Sequence, residues 1–175
     1  MGSKIKEEAI KSLIRFDSPD ILLIQETKME DKAFLHIGKN LWKIREGQAV
    51  SARGASGGLG TLSNTNKFTK VQEITNSHWL FTKLKHVGSD ETLCLINVYA
   101  PVSAGEKKIC WESIRGLADS EALENIIIAG DLNLTLSLAE KRRGSIVRDP
   151  ACEWVEDLLQ DWDMIDIKPS SGKYT

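Results

Sequence analysis

The sequence has few cysteines, and they do not form a recognisable motif. Cys94, Cys110 and Cys152 are widely separated, odd in number and embedded in apolar stretches. A zinc site or a disulfide framework needs cysteines at short, regular spacing, so this pattern argues against both. We therefore predict three reduced thiols in the core of an intracellular protein.

The sequence also lacks long apolar runs and an excess of charge of either sign. Its longest apolar runs, residues 21–24 and 126–129, are far too short to cross a bilayer, and residues 1–8 contain no apolar core of a signal peptide. We expect a soluble chain, in nucleus or cytoplasm, with no membrane partner. The 23 basic and 25 acidic residues give a net charge of -2. This balance neither requires nor excludes a nucleic-acid partner, because phosphate binding depends on local patches.

Several segments carry the patterns of β-strands. The short continuous apolar runs at residues 21–24 and 126–129 predict strands buried on both faces. Residues 68–99 predict three strands in sequence, of which residues 79–84 and 92–99 are joined by a hairpin turn.

Other segments repeat apolar residues at helical spacing. Residues 4–16 predict an amphipathic helix, and residues 31–37 predict a weaker one. Two further helices are marked by Cys110, Ile114 and Leu117, and by Asp149 and Pro150 followed by Trp154, Leu158 and Trp162. Helices that alternate with buried strands predict a mixed α/β fold, and the 175 residues suit one domain.

The glycines of residues 54–60 are interpreted as a turn followed by a tightly packed strand start. No Gly-Lys-Ser/Thr follows them, so this segment is not a nucleotide-binding P-loop.

Polar residues directly follow three of the predicted strands. Residues 25–27 follow the first run, residues 97–101 end the last strand of the central stretch, and residues 130–133 follow the run at 126–129. A single acidic residue after a strand is usually a turn or a helix cap. Three polar clusters at strand ends indicate instead that one edge of a sheet carries a site.

These clusters resemble the signatures of a known superfamily. The segments Leu-Ile-Gln-Glu-Thr-Lys (residues 23–28), Asn-Val-Tyr-Ala-Pro (97–101) and Gly-Asp-Leu-Asn (130–133) resemble, in order and spacing, those of the endonuclease/exonuclease/phosphatase superfamily. The closest similarity is to the apurinic-endonuclease-like domain of plant LINE-type (non-LTR) retrotransposons, supported by residues 19–22, 54–58, 140–142 and 172–175. The resemblance implies a partial four-layer α/β sandwich and a metal-dependent hydrolase that cleaves DNA.

The resemblance also implies a role for individual residues. Glu26 is expected to bind Mg²⁺ or Mn²⁺, an ion that often keeps only one or two protein carboxylates. Asp131 is expected to orient and help deprotonate the attacking water. Asn133 and Tyr99 are expected to hold phosphate or leaving-group oxygens. Asn97 is a candidate substrate-binding residue, but we expect first that it braces the end of the strand.

Some parts of the family pattern have no counterpart in the sequence. The family has an Asn-containing strand before the first helix, a Ser-Asp-His segment and a further essential Asp, and none of these matches a segment here. The resemblance therefore implies a partial domain over residues 1–175, without its first strand and C-terminal part and inactive alone. We interpret His36, His78 and His86 as structural residues rather than substitutes.

Three functions remain open at this level. The first is a fragment of a DNA endonuclease that hydrolyses phosphodiesters by metal- and Asp-assisted attack of water. The second is a catalytically dead remnant that acts as a binding or interaction module. The third is a phosphatase of inositol phosphates or phospholipid headgroups. The cations at residues 141–143 favour a nucleic-acid backbone over the third. The sequence does not fix the oligomeric state.

Overall fold

The computed structural model describes residues 4–40, 42, 46–53, 57–134 and 149–167. Within these residues the chain forms four helices and seven strands, which confirms the predicted mixed α/β class. In chain order they are α1 (Lys4–Asp17), β1 (Ile21–Gln25), α2 (Asp31–Asn40), β2 (Glu46–Val50), β3 (Leu59–Ser63), β4 (Phe68–Thr75), β5 (Trp79–His86), β6 (Thr92–Tyr99), α3 (Ala104–Glu121), β7 (Ile126–Asp131) and α4 (Ala151–Asp161). No helix in these ranges is long and apolar enough to span a membrane.

The chain divides into two compact units. The first consists of Met1–Tyr99 and Leu123–Leu132, and the second of Ala100–Ala122 and Asn133–Thr175. The first unit contains both sheets with α1 and α2, and the second contains α3 and α4. The interpretation of the chain as one partial domain stays a prediction.

The two sheets of the first unit differ in size and in strand direction. The smaller sheet has the order β1-β3-β2, and all its pairings are antiparallel. The larger has the order β4-β5-β6-β7, in which only the β6–β7 pairing is parallel. Strands β1 and β3 contact strands of the larger sheet. The three strands predicted between residues 68 and 99 are confirmed.

Helix α2 packs on the smaller sheet and forms a core with it. Phe34 and Ile37 of the helix, together with Trp42 and Leu62, are buried in this cluster, and partly buried side chains of α1 pack against it. A Cβ atom at Gly60 of β3 would lie 2.1 Å from the Phe34 ring. Only glycine at this position lets the helix approach the strand so closely.

Strands β1 and β7 correct the prediction of strands buried on both faces. Each has one hydrogen-bonded neighbour among the described strands, so each lies at a sheet edge. All five residues of β1 are only partly buried, and Ile127 of β7 is 43% exposed. A short apolar run indicates that a strand buries apolar side chains, but it does not show whether one face or both faces are covered. The sequence also gave no indication of β2.

The described part of the glycine segment agrees with the interpretation as a turn followed by a tightly packed strand start. Gly57 and Gly58 have positive φ angles of 78° and 86°, and β3 begins at Leu59, which is buried. These φ angles belong to the left-handed region that favours glycine, as a turn before a strand requires. Residues 54–56 lie outside the described residues.

The second unit is organised by α3 and α4. Helix α3 begins after Ser103, whose hydroxyl accepts a hydrogen bond from the backbone N–H of Glu106 at 3.4 Å. Its buried side chains include Cys110, Ile114 and Leu117, as the periodicity predicted. Helix α4 begins at Ala151, directly after the predicted start at Asp149 and Pro150, and the Asp149 carboxylate accepts a hydrogen bond from the backbone N–H of Ala151 at 2.9 Å.

Two ion pairs connect α3 with the ends of α4. The ammonium group of Lys107, whose side chain is 3% exposed, pairs with Asp149. The exposed side chains of Arg115 and Asp161 pair at 3.1 Å. The three cysteines are buried and free, as predicted.

Candidate functional site

Three strand ends of the first unit meet at one edge. Because β6 and β7 run parallel, their carboxyl ends coincide, and Tyr99 lies in register with Asp131. The Tyr99 hydroxyl donates a hydrogen bond of 2.5 Å to Oε1 of Glu26, the residue that follows β1. The structure thus brings together three of the predicted residues, Glu26, Tyr99 and Asp131, which form the rim cluster.

The backbone around Glu26 adopts an unusual conformation. Glu26 and Lys28 have positive φ angles of 49° and 53°, a region that residues with side chains seldom adopt. The backbone N–H groups of Thr27 and Lys28 donate to the carbonyl oxygens of Gly58 and Gly57 at 3.2 and 3.0 Å. Neighbouring structure must compensate such strain, which is found preferentially at functional sites.

The two hydrogen-bonded partners Glu26 and Tyr99 differ in charge state. The hydrogen bond from Tyr99 and the nearby Lys28 ammonium lower the pKa of Glu26 below its ordinary value. The same hydrogen bond, burial and the charges of Glu26 and Asp131 raise the pKa of Tyr99 to about 12. At neutral pH Glu26 is therefore an anion, and Tyr99 keeps its proton and can act only as a hydrogen-bond donor or acceptor.

The partner of Glu26 on its other side is exchangeable. The Lys28 Nζ atom lies 3.6 Å from Oε2 of Glu26, and the two side chains are 44% and 46% exposed. Exposed ion pairs contribute little free energy and are screened by salt. A cation or a water molecule can therefore replace the Lys28 ammonium at small cost.

Gly130 fixes the position of Asp131. Its φ angle of 138° belongs to the region that favours glycine, and a Cβ atom there would lie 2.0 Å from the carbonyl oxygen of Val98. A side chain at this position would push β7 away from β6 and would move the Asp131 carboxylate with it. The glycine of the Gly-Asp-Leu-Asn segment is thus a structural requirement of the rim cluster.

Asn97 lies beneath the rim cluster and connects the two sheets. It is fully buried, and its Oδ1 atom accepts a 2.6 Å hydrogen bond from Nε2 of Gln25 in β1. Its Nδ2 atom donates to the carbonyl oxygen of Gly60 in β3 at 3.0 Å. This amide uses both of its ends within the protein, which supports bracing of the strand end as its role.

Asn133 belongs to the second unit, so the rim cluster does not include it. It has a positive φ angle of 47°, and its Nδ2 atom donates a hydrogen bond of 2.6 Å to the carbonyl oxygen of Ala100. Its expected role as a phosphate ligand stays a prediction. The basic residues 141–143 and the segment 172–175 lie outside the described residues.

The donor set of the rim cluster is small but suits a hard divalent cation. Among the described residues, no three His, Cys, Asp or Glu side chains are grouped so that they could hold a metal ion. The carboxylates of the rim cluster are those of Glu26, which is half exposed, and of Asp131. Mg²⁺ commonly binds one or two carboxylates and keeps water and phosphate as its other ligands, so the residues present fit such an ion.

Two neighbours of the rim cluster were not assigned a role from the sequence. Lys28 pairs with Glu26, and Gln25 bonds the buried amide of Asn97. Both stand within the Leu-Ile-Gln-Glu-Thr-Lys segment, so their proximity to Glu26 was an available signal. The partners they contact became apparent only in the fold.

The sequence profile described as the Endonuclease/Exonuclease/phosphatase family matches residues 2–169 of the chain. None of the curated proteins matches the chain.

Solved structures with a similar fold have low sequence identity to this chain. D. rerio TDP2 complexed with a single strand DNA product has a TM-score of 0.57 and 17% identity, with 74% of this chain and 54% of that chain covered. A functionally unknown conserved protein from Enterococcus faecalis has a TM-score of 0.63 and 16% identity, covering 87% and 63%. The human Nocturnin catalytic domain with a bound sulfate anion has a TM-score of 0.56 and 14% identity, covering 77% and 59%. The chain therefore shares their fold and spans 54% to 63% of their lengths.

Proposed function

Because the chain belongs to the Endonuclease/Exonuclease/phosphatase family, we propose that it carries part of the active site of a divalent-metal-dependent phosphodiesterase that acts on DNA. The observation that carries this proposal is the rim cluster, in which an ionised carboxylate, a protonated phenol and a second carboxylate meet at three strand ends. The sequence segments at residues 19–22 and 140–142 support the finer proposal of an endonuclease of the LINE-type retrotransposon kind.

DNA is the proposed substrate for two reasons. The similar structure of D. rerio TDP2 is complexed with a single strand DNA product. The chain also carries three consecutive basic residues at 141–143, which suit a phosphate backbone.

Each residue of the rim cluster has a separate proposed task. The Asp131 carboxylate accepts a hydrogen bond from the attacking water and takes its proton. Tyr99 turns its hydroxyl from Glu26 to a phosphate oxygen, because its raised pKa keeps it protonated. Glu26 would hold the divalent ion. When bound, such an ion supplies neutralisation of the charge on the phosphoryl oxygens.

Binding of the metal ion to the purified chain is the first test. We expect weak binding, because Glu26 is the single assigned carboxylate ligand and competes with its own partner Lys28. Paramagnetic Mn²⁺ should broaden the amide NMR signals of Thr27 and Tyr99, and Glu26→Gln should abolish this broadening. Glu73→Gln is the matched control, because Glu73 is an exposed carboxylate paired with Lys70 on β4. Broadening that survives Glu26→Gln would exclude Glu26 as the ligand.

Turnover is the second test. We expect no measurable nicking of plasmid or abasic-site DNA by this chain with Mg²⁺ or Mn²⁺. No segment matches the Ser-Asp-His sequence of the family, and the loss of one acid–base group costs roughly 10²–10⁴-fold in rate. Robust nicking that Asp131→Ala abolishes would show that these residues already form a complete site.

A further inference from the structure

His78 lies beside the rim cluster on the neighbouring strand. The backbone N–H of Tyr99 donates a hydrogen bond of 2.8 Å to the carbonyl oxygen of His78. This bond extends the antiparallel register in which Trp79 pairs with Val98. Residues directly opposite each other on antiparallel strands point to the same face of the sheet, so the imidazole of His78 shares the face of the Tyr99 ring.

The turn before β5 fixes the backbone of His78. The His78 N–H donates to Oδ1 of Asn76 at 3.2 Å, and the Asn76 N–H donates to the carbonyl oxygen of Trp79 at 2.9 Å. His78 therefore has its Cα position set from both sides. Its side chain is partly exposed and available to a ligand.

The other two histidines have structural partners for their rings. Asn40 lies 3.1 Å from Nδ1 of His36, both on α2. The His86 ring lies 3.3 Å from the Ser89 hydroxyl and packs edge-on against Phe68. In the part of the chain that the structure describes, the His78 imidazole makes no hydrogen bond.

The spacing of the strands decides which ligand group His78 can reach. Along this edge of the larger sheet the order is His78, Tyr99, Asp131. Neighbouring strands lie about 4.8 Å apart, so His78 and Asp131 are separated by roughly 10 Å. This separation suits two successive phosphates of one strand, one at each end of the row.

We propose that His78 is a further substrate-binding residue, which holds the phosphate next to the reactive one along the DNA strand. The inference rests on the proposed function, because it needs the reactive phosphate to lie at the rim cluster. A neutral or a protonated imidazole has at least one N–H to donate to a phosphate oxygen. His78 therefore selects for a substrate with two or more phosphodiesters.

Two short probes separate this role from that of the rim cluster. Thymidylyl-thymidine contains one phosphodiester, and the thymidine tetranucleotide contains three. Each is titrated into the chain with Mg²⁺ while the ring signals of Tyr99, His78 and His86 are followed by NMR. We expect both probes to shift the Tyr99 signals, and only the tetranucleotide to shift those of His78. The His86 signals, from the other end of β5, should stay unchanged.

Substitutions measure the size of the effect. His78→Ala should weaken tetranucleotide binding about 3- to 10-fold, as expected for the loss of one hydrogen bond at a partly exposed site, and leave dinucleotide binding unchanged. His78→Gln, which keeps an N–H donor, should recover part of the loss, and His86→Ala should have no effect.

The outcomes distinguish the inference from the proposed function. If the tetranucleotide shifts the Tyr99 signals without those of His78, and His78→Ala binds it normally, the inference is wrong and the proposed function stands. If neither probe shifts the Tyr99 signals, the proposed function is wrong and the inference falls with it.

Discussion

Glu26 in the first unit and Asp149 in the second are both carboxylates paired with a lysine, yet the surroundings of the two pairs are opposite. Glu26 and its partner Lys28 are each close to half exposed, and their charged atoms are 3.6 Å apart. Asp149 pairs with Lys107, whose side chain is 3% exposed. An exposed pair exchanges its partners readily, whereas a buried cation depends on its one anion. The exposed pair at Glu26 suits ligand binding, whereas the buried pair at Asp149 suits a role in holding the fold together.

The largest effect is expected from removing the charge of Asp149. Asp149→Asn keeps an oxygen for the Ala151 N–H but leaves the buried Lys107 ammonium without an anion, which should cost about 3–5 kcal/mol of unfolding free energy. Urea denaturation measures this loss. Asp161→Asn, which removes the exposed pair with Arg115, is the matched control and should cost at most about 1 kcal/mol. Equal losses would remove the distinction between buried and exposed pairs.

The next effect tests whether Asn97, unlike the exchangeable pair at Glu26, is needed to hold the two sheets together. Asn97→Leu leaves the carbonyl of Gly60 and the amide of Gln25 without their partner between the sheets. We expect a loss of about 2–3 kcal/mol, the cost of orphaned buried polar groups. Asn40→Ala, at an exposed amide of α2, should change stability by less than about 0.5 kcal/mol. An Asn97→Leu variant as stable as the wild type would show that the amide does not brace the sheets.

Glu26→Gln should leave the denaturation midpoint unchanged and alter Tyr99 instead. The Glu26 carboxylate is the main reason why the pKa of Tyr99 is raised to about 12, so its replacement by an amide should lower that pKa towards its ordinary value of about 10. A spectroscopic or NMR titration of the phenol measures the change. Glu73→Gln should leave the Tyr99 titration as it is. An unchanged pKa in Glu26→Gln would mean that burial, rather than the carboxylate, controls the phenol.

The smallest effect is the alkaline pH dependence of stability. The folded state binds the Tyr99 proton more tightly than the unfolded state, so this contribution is complete below pH about 10 and is lost as the pH rises towards about 12. Tyr99→Phe should remove this part of the alkaline decline, whereas Asp149→Asn should retain it. Identical pH profiles for wild type and Tyr99→Phe would contradict the assigned coupling.

Local patterns predicted those elements that the chain specifies by itself. The periodic apolar residues gave α1 and α3, and the strands between residues 68 and 99 were read from β-branched and aromatic runs. Strand β2 could not be found, because Glu46 and Gly47 are poor strand formers. It is a strand because it pairs with β3, where a Cβ atom at Gly47 would lie 2.3 Å from the Leu62 side chain.

The candidate site shows the same division between local and long-range information. Polar clusters at strand ends predicted a shared edge, and the resemblance singled out Glu26, Tyr99 and Asp131 within them. The structure brings these three residues to one edge, although their roles stay predictions. The position of His78 beside Tyr99 depends on the pairing register of β5 and β6, which no local pattern fixes. A histidine at a strand end therefore gave no signal of its own.

The hydrogen bond between Tyr99 and Glu26 also has a consequence for folding. It joins residues that are 73 positions apart, whereas the hairpins β4–β5 and β5–β6 close over short loops. Contacts between distant residues form late, because the entropy of closing a long loop must be offset by structure already in place. We expect the hairpins to form first and the phenol to acquire its raised pKa only when β1 docks. A chain interrupted during folding would thus contain most of the larger sheet and no functional edge.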